Sequence, residues 1–435
     1  MTANWKLTVT EKLKKYDYII IGGGLSGLGF SHNVENALIV EKNESLLGHA
    51  RSFEFKGFWF DFGAHICHSK DEDWLASLNL NTCVEHPVSD VLNYDGGSWI
   101  GYPVQNNLRD IAAEDRENAY KEINANLTNS KPDSASYFNW SNSVYGATLT
   151  EKYYRRFTNK YWRTSMEDMN ADWLAGRVMP INKTLVDGGM LGEVQSQAVF
   201  NSYRYPKNGG FQEFFRPLME TDNHVILNEA VTEIDFERRT VRLTSGALYK
   251  YSKLVNTAPL TEVVKMIRGV PSYVTAAASR LKYLNLIVTA VVINDVEAAN
   301  FPDWFYIYDE DIAVSRVTNI SKVAGSSTEG VALQFETFRR NDEVYDLKEV
   351  LVDIVAGVKK LIGRDVLDSE VTHKFVRYSY VVPCLDTEMS RMDIIKYLSD
   401  NGVLSCGLYG LWNYVWSDSA YRTGVELANN QEVNI

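Results

Sequence analysis

Apolar and polar positions follow three rhythms along this chain. Near its start, Tyr18-Ile19-Ile20-Ile21 is an unbroken apolar run that ends in glycine, and Ala37-Leu38-Ile39-Val40 is a second that ends in Glu41. Short runs of this kind, bounded by turn residues, predict buried strands. Val225–Leu227, Ala230–Ile234 and Thr240–Leu243 predict a group of short strands, and Leu254-Val255 predicts another that runs out into a loop at Pro259. Tyr283–Asn294, rich in Val and Ile, and the aromatic Trp304–Tyr308 predict longer strands. A helical rhythm then takes over. Val344, Leu347, Val350, Leu351, Ile354, Val355, Val358 and Leu361 recur at helical spacing, and Gly363 stops them; this stripe reads as core. Residues 71–200 carry few strand signals, and stretches such as Thr150–Tyr161 and Asp172–Met179 suit helices, which predicts a mostly helical insertion. From Val403 the tail reads as a strand, a glycine turn and a last helix near Ser419–Asn429. No internal repeat is evident.

The glycines between the first two apolar runs give them a chemical meaning. Gly22, Gly24 and Gly27 form G-x-G-x-x-G directly after the first run, in the order strand, tight turn, helix, strand, acidic residue. Gly22 makes the turn, Gly24 lets backbone approach a pyrophosphate, and Gly27 lets the helix pack on the strand. Glu41 is placed to accept hydrogen bonds from a ribose. The predicted class is therefore α/β: a Rossmann-like dinucleotide-binding domain with a helical insertion and an antiparallel β-sheet domain. The boundaries predicted are 1–75, 201–262 and 370–435 for a discontinuous nucleotide-binding domain, 76–200 for the helical cap, and 263–369 for the sheet with one flanking helix.

Composition narrows this further. A chain of 435 residues, 45% hydrophobic and 23% charged, is ordinary for a soluble globular protein of two or three domains. The formal net charge of −12 argues against general nucleic-acid binding but permits a local basic pocket. The 25 tyrosines suggest a site that stacks on and hydrogen-bonds a polar ligand. Cys67, Cys83, Cys384 and Cys406 have no metal-binding spacing, so no metal site is predicted, and free thiols in a reducing cytoplasm are the simplest reading. No apolar stretch approaches the ~20 residues of a membrane span; the run behind Lys12, Lys14 and Lys15 is better read as the first strand than as a signal segment.

After Glu41 come Leu47-Gly48-His49-Ala50-Arg51-Ser52 and Phe58-Trp59-Phe60-Asp61-Phe62-Gly63-Ala64-His65. This layout resembles FAD-containing amine oxidases and their relatives, and it implies FAD, with Arg51 offered to a phosphate and His65 facing the flavin. A narrower resemblance follows. Trp99-Ile100-Gly101-Tyr102-Pro103-Val104-Gln105-Asn106-Asn107-Leu108 resembles the uridine-binding segment of UDP-galactopyranose mutases, especially the eukaryotic type. The chemistry suits it, since Tyr102 can stack on a pyrimidine and Gln105 offers a donor and an acceptor to the base edge. Tyr154-Arg155-Arg156-Phe157 leading to Trp162, and Asp172-Trp173-Leu174-Ala175-Gly176-Arg177-Val178, resemble the same family's active-site tryptophan and its W-L-x-x-R-V helix. So do Asn201 with Tyr203-Arg204-Tyr205-Pro206, Arg316, Tyr380-Val381-Val382-Pro383, and Gly407-Leu408-Tyr409-Gly410-Leu411-Trp412-Asn413-Tyr414.

The resemblance implies that Arg177 and Arg316 clamp a sugar diphosphate, with Tyr102, Gln105, Trp162, Asn201, Tyr380 and Tyr414 around the nucleotide sugar. It implies that Gly22, Gly24, Gly27, Glu41, Arg51, Val231, Gly407 and Gly410 hold FAD. The implied activity is interconversion of the pyranose and furanose forms of a UDP-galactose-like sugar, serving surface glycan biosynthesis. Reduced flavin attacks the anomeric carbon, and NAD(P)H or another external reductant keeps it reduced. Two departures from the family pattern stand out. Leu408 replaces an arginine that meets the flavin phosphates, and Thr158 stands where an asparagine near the sugar is expected, so the sugar can differ from galactose. UDP and dTDP both remain open, as does homo-oligomer formation. The alternatives are a redox flavoenzyme of the amine oxidase or desaturase type and a non-catalytic flavin or nucleotide-sugar binder.

Overall fold

The structure is a computed structural model that describes residues 13–127, 132–174, 177–178, 180–193, 202–294, 296–326 and 330–432. It divides into two compact units, one made of residues 1–48, 221–278 and 391–435 and the other of 49–220 and 279–390.

The first unit is built on a sheet whose strands lie in the spatial order Val231–Asp235, Thr240–Leu243, Leu248–Asn256, Lys15–Ile21, Ala37–Val40 and His224–Ile226. Lys15–Ile21 runs parallel to both of its neighbours, and Val403–Ser405 adds in parallel beside Leu254–Asn256. All four side chains of Ala37–Val40 are buried, as a parallel strand covered on both faces requires. The short strands at the far edge form the antiparallel meander that the 225–258 region predicts. The helix Leu25–Ser31 crosses the terminal helix Ser417–Glu432 at backbone contact. A Cβ on Gly29 would lie 2.2 Å from the Tyr421 carbonyl oxygen, and one on Gly424 would lie 2.1 Å from that of Ser26.

The second unit holds a mixed sheet of seven strands among the described residues. Their order is Val371–Val381, Tyr283–Ile293, Val331–Arg340, Arg316–Asn319, Trp304–Ile307, Val91–Asp95, Ser98–Gly101. Every pairing is antiparallel except that of Trp304–Ile307 with Val91–Asp95. The period of two along each strand gives the sheet two different faces. Ile287, Val291, Phe305, Val317, Leu333 and Phe335 face the helix Leu347–Ile362, which lays Val350, Ile354 and Val358 on them and ends at Gly363 with φ +80°. Leu284, Leu286, Val288, Phe338 and Val376 face a cluster of Tyr, Trp and Phe drawn from residues 137–178.

Four expectations change here. The segment 76–200, expected to be mostly helical, also supplies three strands, Cys83–His86, Val91–Asp95 and Ser98–Gly101. The Gly96-Gly97 pair, with φ of +58° and +82°, closes a hairpin that its glycines signal in the sequence. Asp172–Leu174 is a single 3-10 turn where a helix was expected, and Val344, the first residue of the predicted core stripe, is exposed ahead of the helix Leu347–Ile362. The helical segment and the second sheet also fall in one unit, because the aromatic side chains of the first pack on the second. No helix among the described residues is long and apolar enough to cross a membrane.

Candidate active site

In the first unit the glycine turn sits at the end of Lys15–Ile21. Gly22 has φ +103°, and a Cβ there would meet Thr257 Oγ1 at 2.5 Å; one on Gly27 would meet the Gly22 carbonyl oxygen at 2.2 Å. Gly23 is equally constrained, with Leu46 2.4 Å from its absent Cβ. Gly24 differs from all three. A Cβ there would meet nothing within 4 Å. Three glycines are thus required by the protein's own packing, while the fourth opens onto free space at the mouth of the turn. That is what close approach of a dinucleotide pyrophosphate requires, so these residues fit such a group.

Glu41 is buried and braces the turn. Its Oε2 accepts from the Gly23 amide at 2.9 Å, and its Oε1 accepts from the Asn43 amide at 2.9 Å. The following loop folds back, with the Leu47 amide donating to the Gly23 carbonyl at 2.8 Å. From the chain's other end, Gly407 packs on Ser26 and Gly410 on the Asn256 carbonyl, with Cβ clearances of 2.1 and 2.4 Å. Val231 lies buried in the meander, paired with Leu243, and Tyr414 follows the Gly410 turn beside Trp416.

In the second unit the sheet's aromatic face gathers most of the predicted ligand residues. Tyr306 is its hub. Its ring stacks on Tyr102 with centroids 5.4 Å apart, and its strand places it directly opposite Arg316. Arg316 lies over the Tyr161 ring at 5.7 Å, and Tyr161 adjoins Trp162 at 5.7 Å and Tyr380 at 6.0 Å. Gln105 is 2% exposed and accepts from the Tyr154 hydroxyl at 2.5 Å. Tyr154 in turn stacks on Tyr145 at 4.5 Å. Burial among neighbouring phenols drives the Tyr102 and Tyr154 hydroxyls well above the usual phenol range, so both stay protonated donors.

Arg177 occupies the turn after Asp172–Leu174, its amide bonded to the Leu174 carbonyl at 3.0 Å, and its neighbours Trp173 and Val178 pack into the same aromatic cluster. Arg51 lies with its guanidinium 5.1 Å from the Phe62 ring centre. Asn201 lies outside the described residues. Thr158 is buried behind the cluster.

Beneath the aromatic layer runs a chain of buried polar groups that the sequence reading did not single out. Glu336, 0% exposed, takes Arg316 side-on: Arg316 Nε donates to its Oε2 at 2.7 Å, and Nη2 lies 2.5 Å from the same oxygen. Gln334 Nε2 reaches Glu336 Oε1 at 3.5 Å, and Gln334 Oε1 accepts from the Asp61 amide at 3.0 Å. The Asp61 carboxylate accepts from Ser52 Oγ at 2.6 Å, the Phe211 amide at 3.0 Å and the Tyr205 hydroxyl at 2.8 Å. Its burial raises its pKa to about 7 despite those donors, with Glu336 adding to the rise. The signal for this chain is legible in retrospect. Gln334 and Glu336 are polar at i and i+2 among the apolar Ala332, Leu333, Phe335 and Phe338, so both must face one buried side.

His65 stacks on Phe211 at 4.8 Å, and its buried Nδ1 makes no hydrogen bond among the described residues. Burial, reinforced by His49 and Arg316, lowers its pKa to about 3, so the ring is neutral at physiological pH.

Residues 20–79 match a family model described as an NAD(P)-binding Rossmann-like domain. No curated protein sequence matches the chain. Among solved structures, reduced UDP-galactopyranose mutase is similar at 18% identity and TM-score 0.84, over 97% of this chain and 96% of that one. A putative protoporphyrinogen oxidase from Exiguobacterium sp. 255-15 is similar at 14% identity and TM-score 0.75, over 97% and 99%. A putrescine oxidase redesigned in its cofactor binding is similar at 13% identity and TM-score 0.63, also over 97% and 99%. Likeness at these identities shows a shared fold, and that fold hosts a mutase and oxidases alike.

Proposed function

We propose that this protein is an FAD-dependent mutase that interconverts the pyranose and furanose forms of a UDP-sugar or a related pyrimidine nucleotide sugar. One observation carries the reading: Tyr306 stacks on Tyr102 and pairs across strands with Arg316, so a base platform and a buried cation share one wall. A ligand matching that wall has a flat base at one end and an anion at the other, as a nucleoside diphosphate does. When bound and reduced, the flavin supplies the nucleophile for the anomeric carbon. The protein's own residues bind and orient. Arg316 stabilises the leaving diphosphate and keeps it close for return. Arg177, one turn beyond Leu174, is the proposed second arm of that clamp. Tyr380 and Trp162 form the aromatic floor beside Tyr161, and neutral His65 orients the cofactor without adding charge. In the first unit, Gly24 gives the pyrophosphate its approach.

The shared fold with a putrescine oxidase keeps a second reading in view, a redox enzyme that oxidises an amine. One experiment separates the two. The dithionite-reduced protein, given UDP-galactose, is expected to yield UDP-galactofuranose by chromatography, while amines leave its oxidised flavin spectrum unchanged. Bleaching by an amine, with no exchange of any UDP or dTDP sugar, would replace the mutase reading with the oxidase one.

A further inference from the structure

The base platform has a buried neighbour to which the proposed function gives no role. Tyr154 closes the π-helical turn Thr150–Tyr154, just before the helix continues as Arg155–Tyr161. Turns of this kind change which side chains share a helix face, and they recur at functional sites. Phe157 meets the Tyr306 ring edge-on at 5.4 Å, so this helix lies against the Tyr306–Tyr102 stack. From the same helix Tyr154 stacks on Tyr145, with ring planes 22° apart, and its hydroxyl reaches Gln105 Oε1 at 2.5 Å. Gln105 is buried in the 3-10 turn Val104–Asn106, three residues after Tyr102. A glutamine amide has an acceptor at one end and two donors at the other, and the ends exchange when it turns over. Tyr154 decides which end is which. Burial keeps its hydroxyl protonated, so it donates and Oε1 accepts. Turning the amide over would take the acceptor away from a buried phenol hydrogen. The other end, Nε2, donates to no group among the described residues. The end of Gln105 left for a ligand is therefore a donor.

We infer that Tyr154 is a specificity-determining residue of the base site: by holding Gln105 Oε1 it leaves only the amide donor for the base, and so selects uracil or thymine over cytosine. The inference rests on the reading of Tyr102 and Gln105 as the base site. Its sign follows from the pyrimidine edge. Uracil and thymine carry a carbonyl oxygen at C4, which accepts from Nε2, whereas cytosine carries an amino group there, which opposes one donor to another. A ring stacked on Tyr102, with its diphosphate held at Arg316, has little freedom to slide away from that clash. Tyr154 acts through Gln105 and needs no contact with the nucleotide itself.

UDP and CDP are the suitable probes, because they share ribose and diphosphate and differ only in the base. Isothermal titration of the oxidised, flavin-loaded protein at one pH should show UDP binding roughly tenfold more tightly than CDP. Tyr154→Phe keeps the ring and frees the amide to turn over. It should weaken UDP about fivefold and leave CDP unchanged, so that the ratio falls to about twofold. Loosened packing weakens both nucleotides together and does not move this ratio. Gln105→Glu puts an acceptor where the donor stood, and its ratio should turn in favour of CDP. Equal affinity of wild type for UDP and CDP, or an unchanged ratio in Tyr154→Phe, overturns the role of Tyr154 and leaves the function reading intact. If Tyr154→Phe does not fold, a wild-type ratio in Gln105→Glu overturns it instead. No binding of either nucleotide by wild type overturns the nucleotide reading itself.

Discussion

The two units build their sites by opposite means. In the first, the chemistry is in the backbone: glycines remove side chains until strand, turn and helices touch, and Gly24 alone of the opening four leaves open space. In the second, the chemistry is in large side chains stacked over a hidden ionic chain, from Tyr102 through Tyr306 and Arg316 to Glu336 and Asp61. The difference teaches where each site is fragile. A backbone cradle is destroyed by adding one carbon, and a side-chain wall is destroyed by removing one charge.

The largest expected effect tests the wall. Glu336→Ala leaves Arg316 buried without its counter-ion and should cost about 3–5 kcal/mol, read by urea unfolding. A loss below about 1 kcal/mol would mean that Arg316 is solvated, and the contrast between the units would fail. Next comes the cradle. Gly27→Ala drives a methyl toward a carbonyl oxygen and should cost about 1–3 kcal/mol together with bound flavin. Gly24→Ala has room and should change stability by less than about 0.5 kcal/mol, yet lower flavin content sharply on purification. Equal losses of stability in the two variants would break the distinction between packing glycines and the ligand-facing one.

Acid stability separates the units more finely. The folded His65 takes its proton only near pH 3, whereas the unfolded chain takes one near the ordinary value of 6.5. Its contribution is therefore fully present above that value and is lost as pH falls toward 3. His65→Gln should flatten the decline over this interval. The raised Asp61 works in the other direction: its contribution is present at low pH and is lost as pH rises through about 7, so Asp61→Asn should gain relative stability at alkaline pH. The smallest effect expected is that of Tyr154→Phe, which removes the hydroxyl bonded to Gln105. It should cost about 1 kcal/mol in UDP-galactose affinity and nothing in flavin content.

How much of this is legible in the sequence follows from the same contrast. The cradle is local: Gly22, Gly24, Gly27 and Glu41 lie within one strand–turn–helix–strand unit, so spacing alone announces them. The helix Leu347–Ile362 and its glycine stop are legible for the same reason, because periodicity is a local property. The wall is different. Tyr102, Trp162, Arg316 and Tyr380 come together only because the sheet brings distant segments together, and it is the resemblance rather than spacing that names them; Tyr161, which links Arg316 to Trp162 and Tyr380, is named by neither. Tyr306 and Glu336 were missed, though Tyr306 sits in the aromatic run Trp304–Tyr308 that the hydrophobic pattern does predict as a strand. The hairpin at Gly96-Gly97 was missed because its strands are short and end in polar residues, which hides the period of two.

The most direct test of the account is a paired measurement on Arg316→Ala: bound flavin per chain, and affinity for UDP-galactose in the oxidised state. If backbone holds the dinucleotide and the wall holds the sugar diphosphate, flavin should stay at the wild-type ratio while affinity falls about 100-fold, the loss expected for a charge-assisted contact of roughly 3 kcal/mol. Wild-type affinity for UDP-galactose in that variant, or loss of flavin with it, would contradict the account.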